Sequence, residues 1–123
     1  MILVDTSIWI DHLRAGDSDL VALLQDNQVM AHPWVTGEIA LGSLARRHEV
    51  LGLLAHLPQA TVATDAEVMG LVDDRRLFGR GIGWVDAHLL AATLLTSNAR
   101  LWTRDKRLAG VAEQVGVQHP RGP

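Results

Sequence analysis

Short, continuous apolar runs alternate along the chain with longer segments whose apolar residues recur every three or four positions. Such runs are typical of buried parallel strands, and the longer spacing predicts amphipathic helices. Strands are predicted at Ile2–Val4, Gln28–Ala31, Ala60–Ala63 and Leu101–Thr103, with a candidate edge strand at Gly116–Gln118. Helices are predicted at Ser7–Leu13, Asp17–Gln25, Thr36–Ala45, Glu49–Leu57, Asp65–Arg76, Val85–Thr96 and Lys106–Val115, and His119–Pro123 is predicted to be a frayed tail.

This alternation predicts the α/β class, with a doubly wound, mostly parallel sheet of four to five strands and helices on both faces. Right-handed crossovers leave few topologies for such a sheet. If the first strand is central and the Leu101–Thr103 strand lies beside it, Asp5 and Asp105 emerge as neighbours. No internal repeat or linker interrupts the 123 residues, so residues 1–123 are interpreted as a single domain.

The amino-acid composition narrows the class of protein further. The chain is 48% hydrophobic and 20% charged, which is typical of a globular protein and not of a disordered one. Cysteine is absent, which excludes disulfides and thiolate zinc sites. No apolar run reaches the roughly 18 residues that span a bilayer, and the N-terminus does not resemble a signal peptide. We therefore expect no membrane association, and a cytoplasmic location is the simplest interpretation.

Charge is distributed unevenly. The net charge of −3 argues against a protein that grips nucleic acid by bulk electrostatics. Residues 1–45 hold one basic and six acidic side chains, whereas residues 46–123 hold ten basic and eight acidic ones. Basic clusters beside an acidic pocket favour a protein that holds a phosphodiester at that pocket.

Four acidic residues are placed where a parallel fold would gather them. Asp5 directly follows one predicted strand and Asp105 lies two residues after another, and the working crevice of such a sheet lies beyond the carboxyl ends of its strands. Glu38 and Asp86 are predicted to open two further helices. The segment Gly79–Gly83 is interpreted as a sharp turn that delivers Asp86 to its helix start.

Taken singly, each of these acids could serve only as a helix cap or as a partner of a helix dipole. Together they would repel one another, since two carboxylates about 4 Å apart cost roughly 4 kcal/mol at an effective dielectric near 20. A cluster of this kind therefore recruits a cation or binds protons. Oxygen-only ligands suit Mg²⁺ or Mn²⁺ better than zinc. The pattern favours a metal-dependent hydrolase.

Four segments around these acids carry a family resemblance. They are Val4-Asp5-Thr6-Ser7-Ile8-Trp9-Ile10-Asp11, Gly37-Glu38-Ile39-Ala40-Leu41-Gly42, Gly81-Ile82-Gly83-Trp84-Val85-Asp86-Ala87-His88-Leu89-Leu90-Ala91-Ala92 and Trp102-Thr103-Arg104-Asp105-Lys106-Arg107-Leu108. In this order and at these spacings they resemble the motifs of PIN-domain ribonucleases. The similarity covers essentially the whole chain and is greatest to the toxins of VapBC-type toxin–antitoxin pairs.

The resemblance implies a PIN-like fold and an Mg²⁺-dependent endoribonuclease, with Mn²⁺ as an alternative ion. The implied reaction is in-line attack of metal-activated water on an RNA phosphodiester, leaving 5′-phosphate and 3′-hydroxyl ends. A homodimer and a small antitoxin that occupies the active-site groove are also implied. The catalytic and metal-binding acids would be Asp5, Glu38, Asp86 and Asp105, supported by the hydroxyls of Thr6, Ser7 and Thr103.

The chain departs from the family pattern at one place. Lys106-Arg107-Leu108 stands where relatives carry a further acid, which argues against a fully occupied second metal site. Arg80 and Arg104 flank the predicted site and are candidate phosphate contacts. Trp34 or Trp84 could stack on RNA bases, whereas Trp102 is expected in the core.

Asp11 lies six residues after Asp5 and is expected to face solvent on the far side of the first helix.

The alternative function is a catalytically silent PIN-like module that binds RNA or a partner without cutting. The intact set of four acids favours the enzyme, whereas binding without cleavage would favour the module.

Overall fold

A computed structural model describes residues 1–120, so Arg121–Pro123, the end of the predicted tail, lie outside the described residues. Within this range the chain forms a three-stranded parallel sheet in the order β2-β1-β3. The strands are β1 (Ile2–Val4), β2 (Val29–Met30) and β3 (Arg100–Trp102). Leu3 pairs with Met30 on one side and with Leu101 on the other. The first strand is thus central and lies beside β3, which is the condition under which Asp5 and Asp105 were expected to be neighbours.

Seven helices surround this sheet in the described range, and the α/β class is confirmed. They are α1 (Thr6–Ala15), α2 (Ser18–Gln25), α3 (Pro33–Ala40), α4 (Arg47–His56), α5 (Asp65–Asp74), α6 (Trp84–Leu95) and α7 (Lys106–Gln114). Most ends lie within one or two residues of the predicted ends. Helix α6 is buried at every position from Ala87 to Thr93, as expected for a helix that is apolar on all sides.

The predicted count of four to five strands is wrong. Ala60–Ala63 forms no strand, and the preceding Gln59 makes only an isolated bridge to Ala31. Gly116–Gln118 likewise contributes one bridge, between Gln118 and Leu101. Ala31 N donates to Pro58 O and Ala60 N donates to Ala31 O, both at 2.8 Å. The next parallel bond would need an N–H from Pro33, which has none and begins the following helix, so pairing cannot extend along Ala60–Ala63. Both edges of the sheet are prolonged by single bridges.

Helix α3 begins earlier than predicted and carries Glu38 in a different place. Its first residue is Pro33, and His32 caps it by accepting a hydrogen bond from Trp34 N at Nδ1, 3.1 Å away. Proline is favoured at this first position because its missing N–H has no partner there in any case. The helix ends at Ala40, so Glu38 lies near its end and does not open it.

The carboxyl ends of β1 and β3 lie side by side. Val4 is opposite Trp102, and Asp5 N donates to Trp102 O at 2.9 Å. The predicted proximity of the residues that follow these two strands is thereby confirmed. This edge of the sheet is where the acidic residues meet.

The predicted frayed tail is wrong at His119. This residue is 7% exposed, its N–H donates to Leu101 O at 2.9 Å, and its ring lies 5.5 Å from that of Trp102. The chain therefore returns to the sheet edge after α7. Among the described residues, no helix has the length and apolar character required to cross a membrane.

Candidate active site

Asp5 lies at the centre of the acidic edge and is almost fully buried, at 7% exposure. Its Oδ1 accepts from Thr6 N at 2.8 Å, which caps α1. Its Oδ2 accepts from Ser7 Oγ at 2.9 Å and from Thr103 Oγ1 at 2.7 Å. The carboxylate of Asp5 therefore caps α1 and also belongs to the acidic site. Three hydrogen-bond donors hold it in one orientation.

The two hydroxyls that bind Asp5 also receive hydrogen bonds from the turn after β3. Thr103 Oγ1 accepts from Asp105 N at 3.1 Å, and Ser7 Oγ accepts from Arg104 N at 3.2 Å. Each hydroxyl thus links the carboxylate of Asp5 to a backbone N–H of this turn. The loops that follow β1 and β3 are joined at the site.

Asp105 is exposed and caps α7 by accepting at Oδ1 from the backbone N–H groups of Arg107 and Leu108, at 2.9 and 3.1 Å. Glu38 is exposed as well, and its Oε1 accepts from Thr6 Oγ1 at 2.9 Å. A hydroxyl of α1 therefore fixes an acid of α3. These two exposed acids form the rim of the site, whereas Asp5 is buried.

Asp86 is the third residue of α6, and its Oδ2 accepts from Gly83 N at 3.1 Å. The turn before it has positive φ at Gly79 (70°) and Gly81 (79°), a conformation that favours glycine. Partial burial raises the pKa of Asp86, and the negative charges of Asp5, Asp105 and Glu38 raise it further. The charges of the other three acids therefore reach Asp86.

The donor atoms of this site suit a hard divalent cation. Within residues 1–120, no group of three or more His, Asp or Glu side chains is already arranged to hold a metal ion. In the same range Asp86 Oδ1, Glu38 Oε2 and Asp105 Oδ2 accept no hydrogen bond. Oxygen atoms of this kind are ligands that Mg²⁺ and Mn²⁺ prefer. By donor chemistry the residues fit such an ion.

The two candidate phosphate-binding arginines differ in their surroundings. Arg80 is exposed and donates to the side-chain oxygen of Gln114. Arg104 donates from Nη1 to Asp11 Oδ2 at 2.8 Å and from Nη2 to Asp17 Oδ2 at 2.5 Å. Its charge is thus compensated by two carboxylates. RNA contact stays a prediction for both arginines, and the pairing of Arg104 does not support it.

The pairing of Asp11 and Asp17 with Arg104 was not predicted from the sequence. Asp11 was expected to face solvent, yet its half-exposed side chain pairs with Arg104. Asp17 caps α2 through Oδ1, which accepts from Leu20 N at 3.0 Å, and uses its other oxygen for the arginine. Both aspartates lie far from Arg104 along the chain, so no local sequence pattern indicated this pairing.

Aromatic residues cluster beside the site. The rings of Trp34 and His88 lie 4.1 Å apart, and Trp84 meets His88 edge-on at 4.9 Å. His88 Nε2 lies 3.1 Å from Asp65 Oδ1, so this histidine serves packing and pairing. Trp84 is 42% exposed and could receive a base, whereas Trp102 is 3% exposed and lies in the core as predicted.

Comparison with known proteins adds an independent line of evidence. No protein-family model matches the chain. The chain is 56% identical over 117 residues to "Ribonuclease VapC32" of Mycobacterium tuberculosis, in strains CDC 1551 / Oshkosh and ATCC 25618 / H37Rv alike. The match covers 95% of this chain and 94% of each relative.

Fold and site define an α/β protein with an acidic centre at the carboxyl edge of a parallel sheet. The chain belongs to the VapC family of ribonucleases, the PIN-domain toxins of toxin–antitoxin systems. The resemblance drawn from its four motifs is confirmed, and so is the prediction of an RNA-hydrolysing enzyme. Family membership favours this enzyme over a silent binding module.

Proposed function

We propose that Asp5, Glu38, Asp86 and Asp105 form the catalytic, metal-binding centre of an Mg²⁺-dependent endoribonuclease, with Mn²⁺ as an alternative ion. The observation that carries the proposal is the convergence of these acids: Thr6 of α1 binds Glu38, Thr103 after β3 binds Asp5, and Asp86 has a pKa raised by burial and, to a lesser extent, by the charges of the other three acids. Such a cluster stores repulsion that a divalent cation relieves. Membership in a ribonuclease family supports RNA as the substrate.

The surrounding residues prepare the centre for this task. Ser7 and Thr103 hold the carboxylate of Asp5, and Thr6 holds that of Glu38. When bound, the divalent ion would supply an activated water and stabilise the charge that develops on the phosphate. Since hydroxyls fix Asp5 and Glu38 before the ion arrives, little reorganisation is needed when it binds.

RNA would approach over the exposed rim. Trp84 stands two residues before Asp86 with a partly exposed indole on which a base can stack. Arg80 lies on the preceding turn and is exposed, which supports a role in holding phosphate. Contact between Arg104 and RNA stays a prediction that the pairing of this arginine with Asp11 and Asp17 does not support.

We infer that residues 1–123 act as one PIN-like nuclease domain that forms a homodimer and pairs with a small antitoxin protein. The toxin–antitoxin context of the family supports the antitoxin. Right-handed crossovers toward β2 and back to β3 would put helices on opposite faces of the sheet, which supports the doubly wound arrangement. A cytoplasmic location remains a prediction.

Cleavage of total cellular RNA by the purified, antitoxin-free chain tests the proposal. We expect discrete products with Mg²⁺, none with EDTA and none from Asp5→Asn. The matched control is Asp26→Asn, which removes one negative charge from an exposed position. Circular dichroism must show that both variants fold. An Asp5→Asn variant that folds and cuts at the wild-type rate would remove Asp5 from the centre.

A further inference from the structure

Arg104 stands between two residues of the acidic site, Thr103 and Asp105, yet its guanidinium turns away toward α1 and the start of α2. One terminal nitrogen donates to Asp11 in α1 and the other to Asp17, the cap of α2. The guanidinium carbon also lies 5.8 Å from the ring centre of Trp102. Three separate elements therefore hold this one side chain.

The backbone of Arg104 is fixed at the same time. Its N–H donates to Ser7 Oγ, which in turn donates to Asp5 Oδ2 at 2.9 Å. On one side of it Thr103 donates to the same carboxylate oxygen, and on the other side Asp105 N donates to Thr103 Oγ1. A movement of this residue would disturb the contacts of Asp5 and Asp105 together.

We propose that Arg104 is a positioning residue, and that the Asp11–Arg104–Asp17 clamp holds Asp5 and Asp105 in the arrangement that binds the divalent ion. This inference rests on the proposed function. The clamp is suited to such a task because a guanidinium presents its donors in a rigid planar fork, so two carboxylates fix its direction. Asp17 is only 14% exposed at its side chain, which shields that arm from water.

The test is Mn²⁺ binding by the RNA-free chain, measured by calorimetry for the wild type, Arg104→Gln, Arg104→Lys and Asp17→Asn. Removing groups that orient metal ligands typically weakens metal affinity about 10- to 100-fold, and we expect Arg104→Gln to fall in that range. Arg104→Lys keeps the charge but loses the fork, so it should be intermediate. Asp17→Asn retains an oxygen that can cap α2 and loses only the ion pair.

RNA kinetics on the same variants separate positioning from substrate binding. For Arg104→Gln we expect kcat to fall with KM nearly unchanged and with an unaltered salt dependence of RNA binding. Asp17→Asn should shift kcat in the same direction, although an aspartate is no phosphate ligand. Arg46→Gln, which removes an exposed arginine of the Arg46–Glu49 pair, is the control that should leave both parameters unchanged.

Two results would overturn the inference while leaving the proposed nuclease intact. A higher KM and a salt dependence of RNA binding whose slope falls by about one, at unchanged Mn²⁺ affinity, would show that Arg104 contacts RNA. A lower melting temperature with unchanged Mn²⁺ affinity and kcat would show that the clamp contributes to stability and not to metal binding. A wild-type chain that binds no divalent ion would overturn both the inference and the proposed metal centre.

Discussion

Burial of His32 makes the stability of this protein depend on pH. The side chain is fully buried, its Nδ1 accepts from Trp34 N, and its Nε2 has no hydrogen-bond partner among the described residues. Burial lowers the pKa of His32 from 6.5 to about 4, and the nearby His88 adds to the effect. The folded chain therefore keeps this imidazole neutral at a pH where the unfolded chain charges it.

The sign and size of the effect follow from this pKa difference. Between pH 6.5 and about 4 the unfolded state binds more protons, so the free energy of unfolding falls as the pH falls through this range. At about 1.4 kcal/mol per pH unit, the full loss is about 3 kcal/mol, of which about 2 kcal/mol is reached at pH 5. A typical domain has only about 5–15 kcal/mol of stability, so the loss is readily measured.

Urea unfolding at pH 5 and pH 7 measures this loss for the wild type and for His32→Asn. Asparagine keeps an oxygen that can cap α3 but cannot take up a proton in this range. We expect the variant to be less stable at pH 7, because the smaller side chain leaves a void, and to lose about 2 kcal/mol less than the wild type on acidification. Equal losses in the two proteins would refute the assignment to His32.

Three further predictions concern the site. Burial and neighbouring negative charge raise the pKa of Asp86, so its ionised form destabilises the fold at neutral pH. We therefore expect Asp86→Asn to abolish RNA cleavage and to raise the melting temperature measured in EDTA. An unchanged or lower melting temperature would contradict this. Thr103→Val should cost about 1–3 kcal/mol in urea unfolding and impair cleavage, whereas Thr93→Val, which loses a buried hydroxyl bonded within α6, should keep cleavage. Gly81→Ala should lower the free energy of unfolding by about 1–2 kcal/mol, because φ is 79° and the new Cβ would lie 2.8 Å from Arg107 Cδ. The control is Gly110→Ala, which has open space around it in α7 and should raise the free energy of unfolding by roughly 0.5–1 kcal/mol.

Local patterns were sufficient to predict the central features of the fold. Apolar runs that end in Asp5 and shortly before Asp105 marked β1 and β3, and the parallel rule placed their carboxyl ends together. The capping interpretation of these acids and their interpretation as a site are compatible, since both carboxylates also accept backbone N–H groups at helix starts.

Features that depend on distant contacts were not predictable. The segment Ala60–Ala63 has the composition of a strand, but the partner it would need is limited to one bridge at Ala31. The start of α3 was missed because a histidine cap is unusual, and this displaced Glu38 from the position expected for it. The pairing of Arg104 depends on where α1 and α2 meet, which no local pattern encodes.

The central claim is that four carboxylates from distant parts of the chain form one site for a divalent ion. Crystals of the chain soaked in Mn²⁺ test it most directly, through anomalous scattering from the metal. The account predicts a peak within about 2.5 Å of carboxylate oxygens from Asp5 and its three acidic partners, and no such peak in Asp5→Asn. A fully active chain whose Mn²⁺ binds elsewhere would contradict it.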